Sequence, residues 1–204
     1  MGLSYRIGKT FFQCAFRLYF RGSVKGAEHL PATGAFVIAC NHASFLDPPM
    51  VGQAVRQEIC FMARKSLFRN PVAGAILRSW KAIPLDRDEA DVGAIRAILQ
   101  ALKQGQAVML FPEGTRSRDG KLQAGKPGVG FLVAKADVPV VPARIRGSFE
   151  AMGRDKAFPR PVKLRVHFGP PLRFDASKIN RAERDTAYRK ISEDIMAAIA
   201  RLGE

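Results

Sequence analysis

The stretch CNHASFLDPP, residues 40 to 49, sets a histidine and an aspartate five positions apart directly behind the apolar run AFVIA. A neutral imidazole is the side chain best suited to accept a proton near pH 7. It does so well when a carboxylate holds its other ring nitrogen, fixing the tautomer and stabilising the imidazolium. In a straight helix His42 and Asp47 would stand about 140° apart, so the pair requires a turn that folds one back onto the other. Asp47 followed by Pro48 also reads as a helix N-cap with proline in the first helical position. The residues alone leave both readings open.

A second loaded stretch is FPEGTRSRDGK, residues 111 to 121. Pro112 ends a strand, Gly114 lets the backbone approach a ligand, and Thr115, Arg116, Ser117 and Arg118 supply donors. Backbone N–H groups beside a guanidinium fork suit a phosphate, and Glu113 would orient the neighbouring arginines. A solvated turn is the plain alternative. Arg64 and Lys65 in FMARKSLF and Arg87 in AIPLDRD add cations. His29 and His167 lack a carboxylate at comparable spacing and are read as structural.

Cys14, Cys40 and Cys60 form no C-x-x-C pair and are expected to be buried thiols, neither a disulfide framework nor a zinc site. Cys40 and His42 would share a face if the strand ran through them, which admits a Cys-His nucleophile pair. No His, Cys or carboxylate cluster has the spacing of a metal site.

Elements must carry these groups to one place. Residues 1–22 read as a helix, with Leu3, Ile7, Phe11, Phe12, Cys14, Ala15, Phe16, Leu18 and Tyr19 on a broad apolar face and Arg6, Lys9, Arg17 and Arg21 elsewhere. Such a helix can pack on the core, lie in a membrane interface, or do both. A strand over 35–40 precedes a helix from Asp47 to about Arg56. Strand 59–62, helix 70–80 and the short strand in AIPLDR follow. Helix 89–103 stops at Gly105, strand AVMLFP ends at the EGTRSRDG loop, and Gly125–Ala136 reads as helix with Pro127 in its first turn. Strands PVVPARI and VKLRVHFG lead to a closing helix of about 18 residues from Arg184. The alternation predicts an α/β domain over 23–204, with a mixed, largely parallel sheet covered by helices on both faces. In such sheets chemistry sits where strands end.

The 204 residues carry 33 Lys and Arg against 18 Asp and Glu, a formal net charge of +15. From Arg144 to Lys190 thirteen basic residues meet five acidic ones. This balance favours polyanions: nucleic acid, an anionic membrane surface, or phosphorylated substrates. The apolar stretches fall far short of the roughly 18 residues a spanning helix needs. Arg17 interrupts the apolar N-terminus and no small-residue cleavage site follows, so no secretory signal is read. Nor is Gly2 a myristoylation site, since Arg6 stands where that motif wants Ser or Thr.

Together the motifs resemble those of the glycerolipid acyltransferase superfamily, most closely its 1-acylglycerol-3-phosphate acyltransferases. NHASFLD matches the family's N-H-x-x-x-x-D block, with His42 and Asp47 in place. FMARKSLF resembles the second block, with Arg64 where Lys is usual and Ser66 where Glu is common. AIPLDR, FPEGTRSRDG and VPVVPARI follow in the family's order. The resemblance covers residues from about 35 to 146 and neither end of the chain. It implies acyl transfer from a fatty acyl thioester, acyl-CoA or acyl carrier protein, to the free hydroxyl of 1-acylglycerol 3-phosphate, with no other cofactor. His42 would be the base and Asp47 its orienting carboxylate. Arg87, Glu113, Gly114, Thr115 and Arg116, with Arg64 or Lys65, would hold the acceptor's phosphate. Glycerol 3-phosphate, another lysolipid, or water in a thioesterase would use the same pair. A nucleic-acid module would leave it without a purpose. Peripheral attachment to the cytoplasmic face of the cell membrane is expected, through the helix of residues 1–22.

Overall fold

The computed structural model describes residues 2–86, 91–175 and 179–203. Seven strands form one sheet: β1 (Ser23–Lys25), β2 (Phe36–Cys40), β3 (Ile59–Arg64), β4 (Ala82–Leu85), β5 (Ala107–Leu110), β6 (Val140–Arg146) and β7 (Arg165–Phe168). Their order across the sheet is β1-β7-β6-β2-β5-β3-β4. Every pairing is parallel except β6 with β7. β2 and β5 are buried along their whole length, as expected where helices cover both faces and a strand shows no alternation.

Alternate residues of the central strands feed two apolar layers. Phe36, Ile38 and Cys40 of β2 pack with Met109, Val141 and Ile145, under α2 (Asp47–Gly52) and α6 (Ser148–Met152). Val37 and Ala39 point the other way, onto Ile98 and Leu102 of α4 (Val92–Lys103), Leu132 and Val133 of α5 (Pro127–Ala136), and Ile191, Ile195 and Ile199 of α7 (Arg184–Arg201). α5 and α7 approach closely, for a Cβ at Gly130 would meet the Tyr188 carbonyl oxygen. α3 (Pro71–Ser79) is capped by Asn70, whose side chain accepts the N–H groups of Val72 and Ala73.

α1 (Leu3–Cys14) continues into a wider turn over Ala15–Tyr19 and lies against the domain. The Ile59 N–H donates to the Tyr5 hydroxyl, Lys9 donates to the Val55 carbonyl, and Ser4 and Ser79 share a hydroxyl bond. Gly8 is buried because Trp80 occupies the space a Cβ would take. Phe16 and Phe20 enter the core beside Phe36 and Phe168. Leu3, Ile7, Phe11 and Leu18 stay outside as an exposed stripe.

The sequence reading departs from the structure in a few places. α2 ends at Gly52 rather than near Arg56, the chain beyond it continuing in tight turns. β7 begins at Arg165, and β1 and α6 are elements too short for periodicity to reveal. Cys14 is exposed, whereas Cys40 and Cys60 are buried. No described helix is long and apolar enough to cross a membrane.

Candidate active site

The chain leaving β2 crosses β5 to reach β3, while the chain leaving β5 crosses back over β2 to reach β6. Between the C-terminal ends of these neighbours the connections diverge, and such a point opens a crevice. The register pairs Ala39 with Leu110. Three residues beyond each stand His42 and Glu113, so the two loaded loops meet there.

His42 is held from several sides. Its Nδ1 lies 2.9 Å from Asp47 Oδ2. The same oxygen accepts the N–H groups of Ala43 and Ser44, each at 2.7 Å. Asp47 opens α2 with Pro48 and Pro49 behind it, yet its side chain makes no bond to the helix ahead. It reaches back onto residues 42–44, where it meets the imidazole and the preceding turn instead of capping the helix. The imidazole stacks on Phe111, ring centroids 3.9 Å apart and planes 19° from parallel. Its backbone N–H donates to Glu113 Oε1 at 2.9 Å, and its carbonyl accepts the Ser117 N–H at 2.8 Å. Asn41 fixes the strand end, its side chain exchanging two hydrogen bonds with the Ile145 backbone on β6. With Nδ1 taken by Asp47, Nε2 is the nitrogen left to act.

Glu113 is buried. It braces the backbone of His42 from beneath. Burial pushes its carboxyl up to about 7, against hydrogen bonds from the backbone N–H groups of His42 and Gln123, and the charge on Asp47 adds to the rise. Burial, then the charges of Asp47 and Glu113, push the Cys40 thiol well above its usual value. Its Sγ faces the Asn41 side chain, so the Cys-His nucleophile pair is not formed.

His42 lines a cavity of about 480 Å³. On the side of α1, α3 and β3 its wall is mostly apolar, with Tyr5, Gly8, Phe12, Phe61, Leu77 and Trp80 beside Lys9. On the side of the strand-end loops stand Phe45, Arg64, Thr115, Arg116 and Arg154. The Arg116 guanidinium sits 3.6 Å from the Phe45 ring centroid, a stacked cation that keeps its donors aimed in the plane. Gly114 takes φ 70° in the turn before it, a conformation natural to glycine. Lys65 is not on the cavity wall but pairs at the surface with Asp86, 3.6 Å away. Arg87 lies outside the described residues. His29 and His167 bond to the carbonyls of Phe168 and Leu202, in keeping with structural roles. Among the described residues no group of His, Cys, Asp or Glu could hold a metal ion.

Several working parts had no sequence signal. Met152, at the end of α6, and Arg154, just beyond it, reach the cavity. Trp80 and Gly8 meet only because α1 packs on α3. The bracing role of Glu113 depends on strand register, which spacing along the chain does not show.

A buried His-Asp pair at the switch point, with a cationic loop on one side and a long apolar wall on the other, suits transfer between a phosphorylated and a fatty substrate. The profile of the Acyltransferase family matches residues 21–146, and the chain belongs to that family. Its relatives include 1-acyl-sn-glycerol-3-phosphate acyltransferase of Bacillus subtilis, 35% identical over 159 residues, 76% of each chain. A chloroplastic 1-acyl-sn-glycerol-3-phosphate acyltransferase of Brassica napus is 32% identical over 72% of this chain but 43% of its own length. The chain thus spans less than half of that plant relative. Among solved structures, the 1-acyl-sn-glycerophosphate acyltransferase PlsC of Thermotoga maritima superposes with a TM-score of 0.76, at 25% identity, over 96% of this chain and 79% of that one.

Proposed function

We propose that this acyltransferase moves a fatty acyl group from an acyl thioester, acyl-CoA or acyl carrier protein, to the free hydroxyl of 1-acylglycerol 3-phosphate, giving phosphatidic acid for phospholipid synthesis. The observation that carries the reading is the His42 imidazole, tied through Nδ1 to Asp47 and lining a cavity shared by an apolar wall and the Arg116 loop. Nε2 takes the proton of the acceptor hydroxyl as its oxygen attacks the thioester carbonyl. The tetrahedral intermediate collapses, the C–S bond breaks, and the thiolate leaves and takes up the proton that His42 holds. With Cys40 protonated and turned to Asn41, direct transfer in a ternary complex fits better than an acyl-enzyme. Arg116, Arg64 and Arg87, with the backbone of Gly114 and Thr115, bind the acceptor's phosphate. Holding that phosphate places the hydroxyl beside His42, and such positioning supplies much of the rate. No metal or other cofactor enters the chemistry.

The helix of residues 1–22 brings the enzyme to its substrate by lying in the head-group region on the cytoplasmic face, its exposed Leu3, Ile7 and Phe11 entering the acyl boundary. The test is consumption of a labelled acyl thioester with and without acceptor. Acceptor-dependent release of thiol, faster with 1-acylglycerol 3-phosphate than with glycerol 3-phosphate, is expected. Thiol release at the same rate without acceptor would make the protein a hydrolase.

A further inference from the structure

We propose that the loop from Gly153 to Lys163 is a second contact with an anionic lipid bilayer, with Phe158 as its inserted side chain. The proposal rests on the membrane reading above but adds a loop outside residues 1–22. Phe158 is 83% exposed, more than any other large hydrophobic residue among those described, and Ala157, Pro159 and Pro161 around it are exposed as well. An aromatic side chain left this bare belongs where water ends.

The loop is not a stray excursion. The Tyr19 hydroxyl donates to the Pro159 carbonyl at 2.8 Å, which joins it to the turn carrying Leu18, itself 79% exposed. The Arg160 N–H donates to the Ala151 carbonyl, and Val162 packs on the core. Phe158, Leu18 and Tyr19 therefore share one neighbourhood, held by bonds at the loop's base.

Charge says what covers it. Residues 153–163 hold Arg154, Lys156, Arg160 and Lys163 against Asp155 alone, and residues 15–21 add Arg17 and Arg21 with no acid. An exposed aromatic side chain on a basic loop is complementary to an anionic head-group layer above an acyl phase. The loop also starts at the active site, because Met152 and Arg154 line the cavity with His42. Insertion of Phe158 would set the cavity mouth against the surface that supplies a lipid acceptor.

The test uses the full chain and vesicles with and without phosphatidylglycerol, read by co-sedimentation. Phe158→Ser should partition about tenfold more weakly into the anionic vesicles, while Phe158→Trp should bind as well as wild type or better. Transfer to acceptor presented in detergent micelles should be unchanged in both. The vesicle measurement needs no turnover, so failure of the transferase reading would leave it standing. Wild-type partitioning of Phe158→Ser would overturn the proposal. So would loss of turnover confined to acyl carrier protein as donor with vesicle binding intact, which would give this surface to the carrier protein.

Discussion

Glu113 holds His42 not by its ring but by its backbone: Oε1 of the buried carboxyl accepts the His42 N–H at 2.9 Å. The contact follows from two adjacent parallel strands whose register carries both residues to the same height. One carboxylate, Asp47, fixes the imidazole's tautomer and rotation, and the other fixes the loop from which the imidazole hangs.

A buried carboxyl with its pKa raised from 4.5 to about 7 leaves a signature in stability. The folded state holds this proton more tightly than the unfolded chain, so stability falls as pH rises from about 4.5 to 7 and levels off above. The loss is confined to that window. Glu113→Gln keeps an oxygen for the His42 N–H and abolishes the titration. Denaturant midpoints at pH 5 and pH 8 should therefore shift in the variant's favour, relative to wild type, at the higher pH. An unchanged difference between the two pH values would mean that Glu113 titrates normally in the fold.

Asp47→Asn separates the orienting role from packing. The amide oxygen can still accept from Ala43 and Ser44, but the tautomer that presents Nε2 as a base is no longer selected. We expect kcat to fall by about 10²–10⁴-fold with the fold retained, as when a catalytic histidine loses its carboxylate. His42→Ala should fall at least as far. Near wild-type activity in Asp47→Asn would leave the carboxylate only a backbone anchor for residues 42–44.

Much of this was legible in the sequence because the signals are local. Apolar runs of four or five residues marked β2 and β5, helical spacing marked α4 and α7, and proline and glycine marked where strands gave way to loops. His42, Asp47 and the Arg116 loop were recognisable by residue type. What escaped was non-local. The role of Glu113 needed strand register, Arg154 needed the path of the chain through α6, and the Gly8–Trp80 contact needed the docking of α1 on α3. The N-cap reading of Asp47 was reasonable on local grounds and lost to three donors from the preceding turn.

Arg116→Ala should act through the acceptor. It removes a charge-assisted donor pair and the stacking on Phe45, so KM for the phosphorylated acceptor should rise about tenfold or more while KM for the thioester changes little. Arg116→Lys should recover only part, since an ammonium lacks the planar fork. Equal rises in both KM values would move the phosphate site away from this loop.

The α1 stripe offers the sharpest test of how the enzyme meets a bilayer. Deleting residues 1–22 would be a poor experiment, because Phe16 and Phe20 belong to the core and Tyr5, Gly8 and Phe12 line the cavity. Substituting Leu3, Ile7 and Phe11 together by Ser touches only side chains already facing water, the three being 73%, 63% and 64% exposed. Stability should therefore stay close to wild type, since surface changes of this kind usually shift it by about 0.5 kcal/mol or less each. Partitioning into anionic vesicles should fall by at least about tenfold, because the apolar area meant for the acyl boundary is gone. Arg6, Arg17 and Arg21 remain, each worth about 1 kcal/mol near an anionic surface, so some salt-sensitive binding should persist. Added salt should weaken wild-type binding without abolishing it and should release the variant almost completely. A variant that binds like wild type at both salt concentrations would rule out α1 as the anchor and place attachment on the basic face between Arg144 and Lys190.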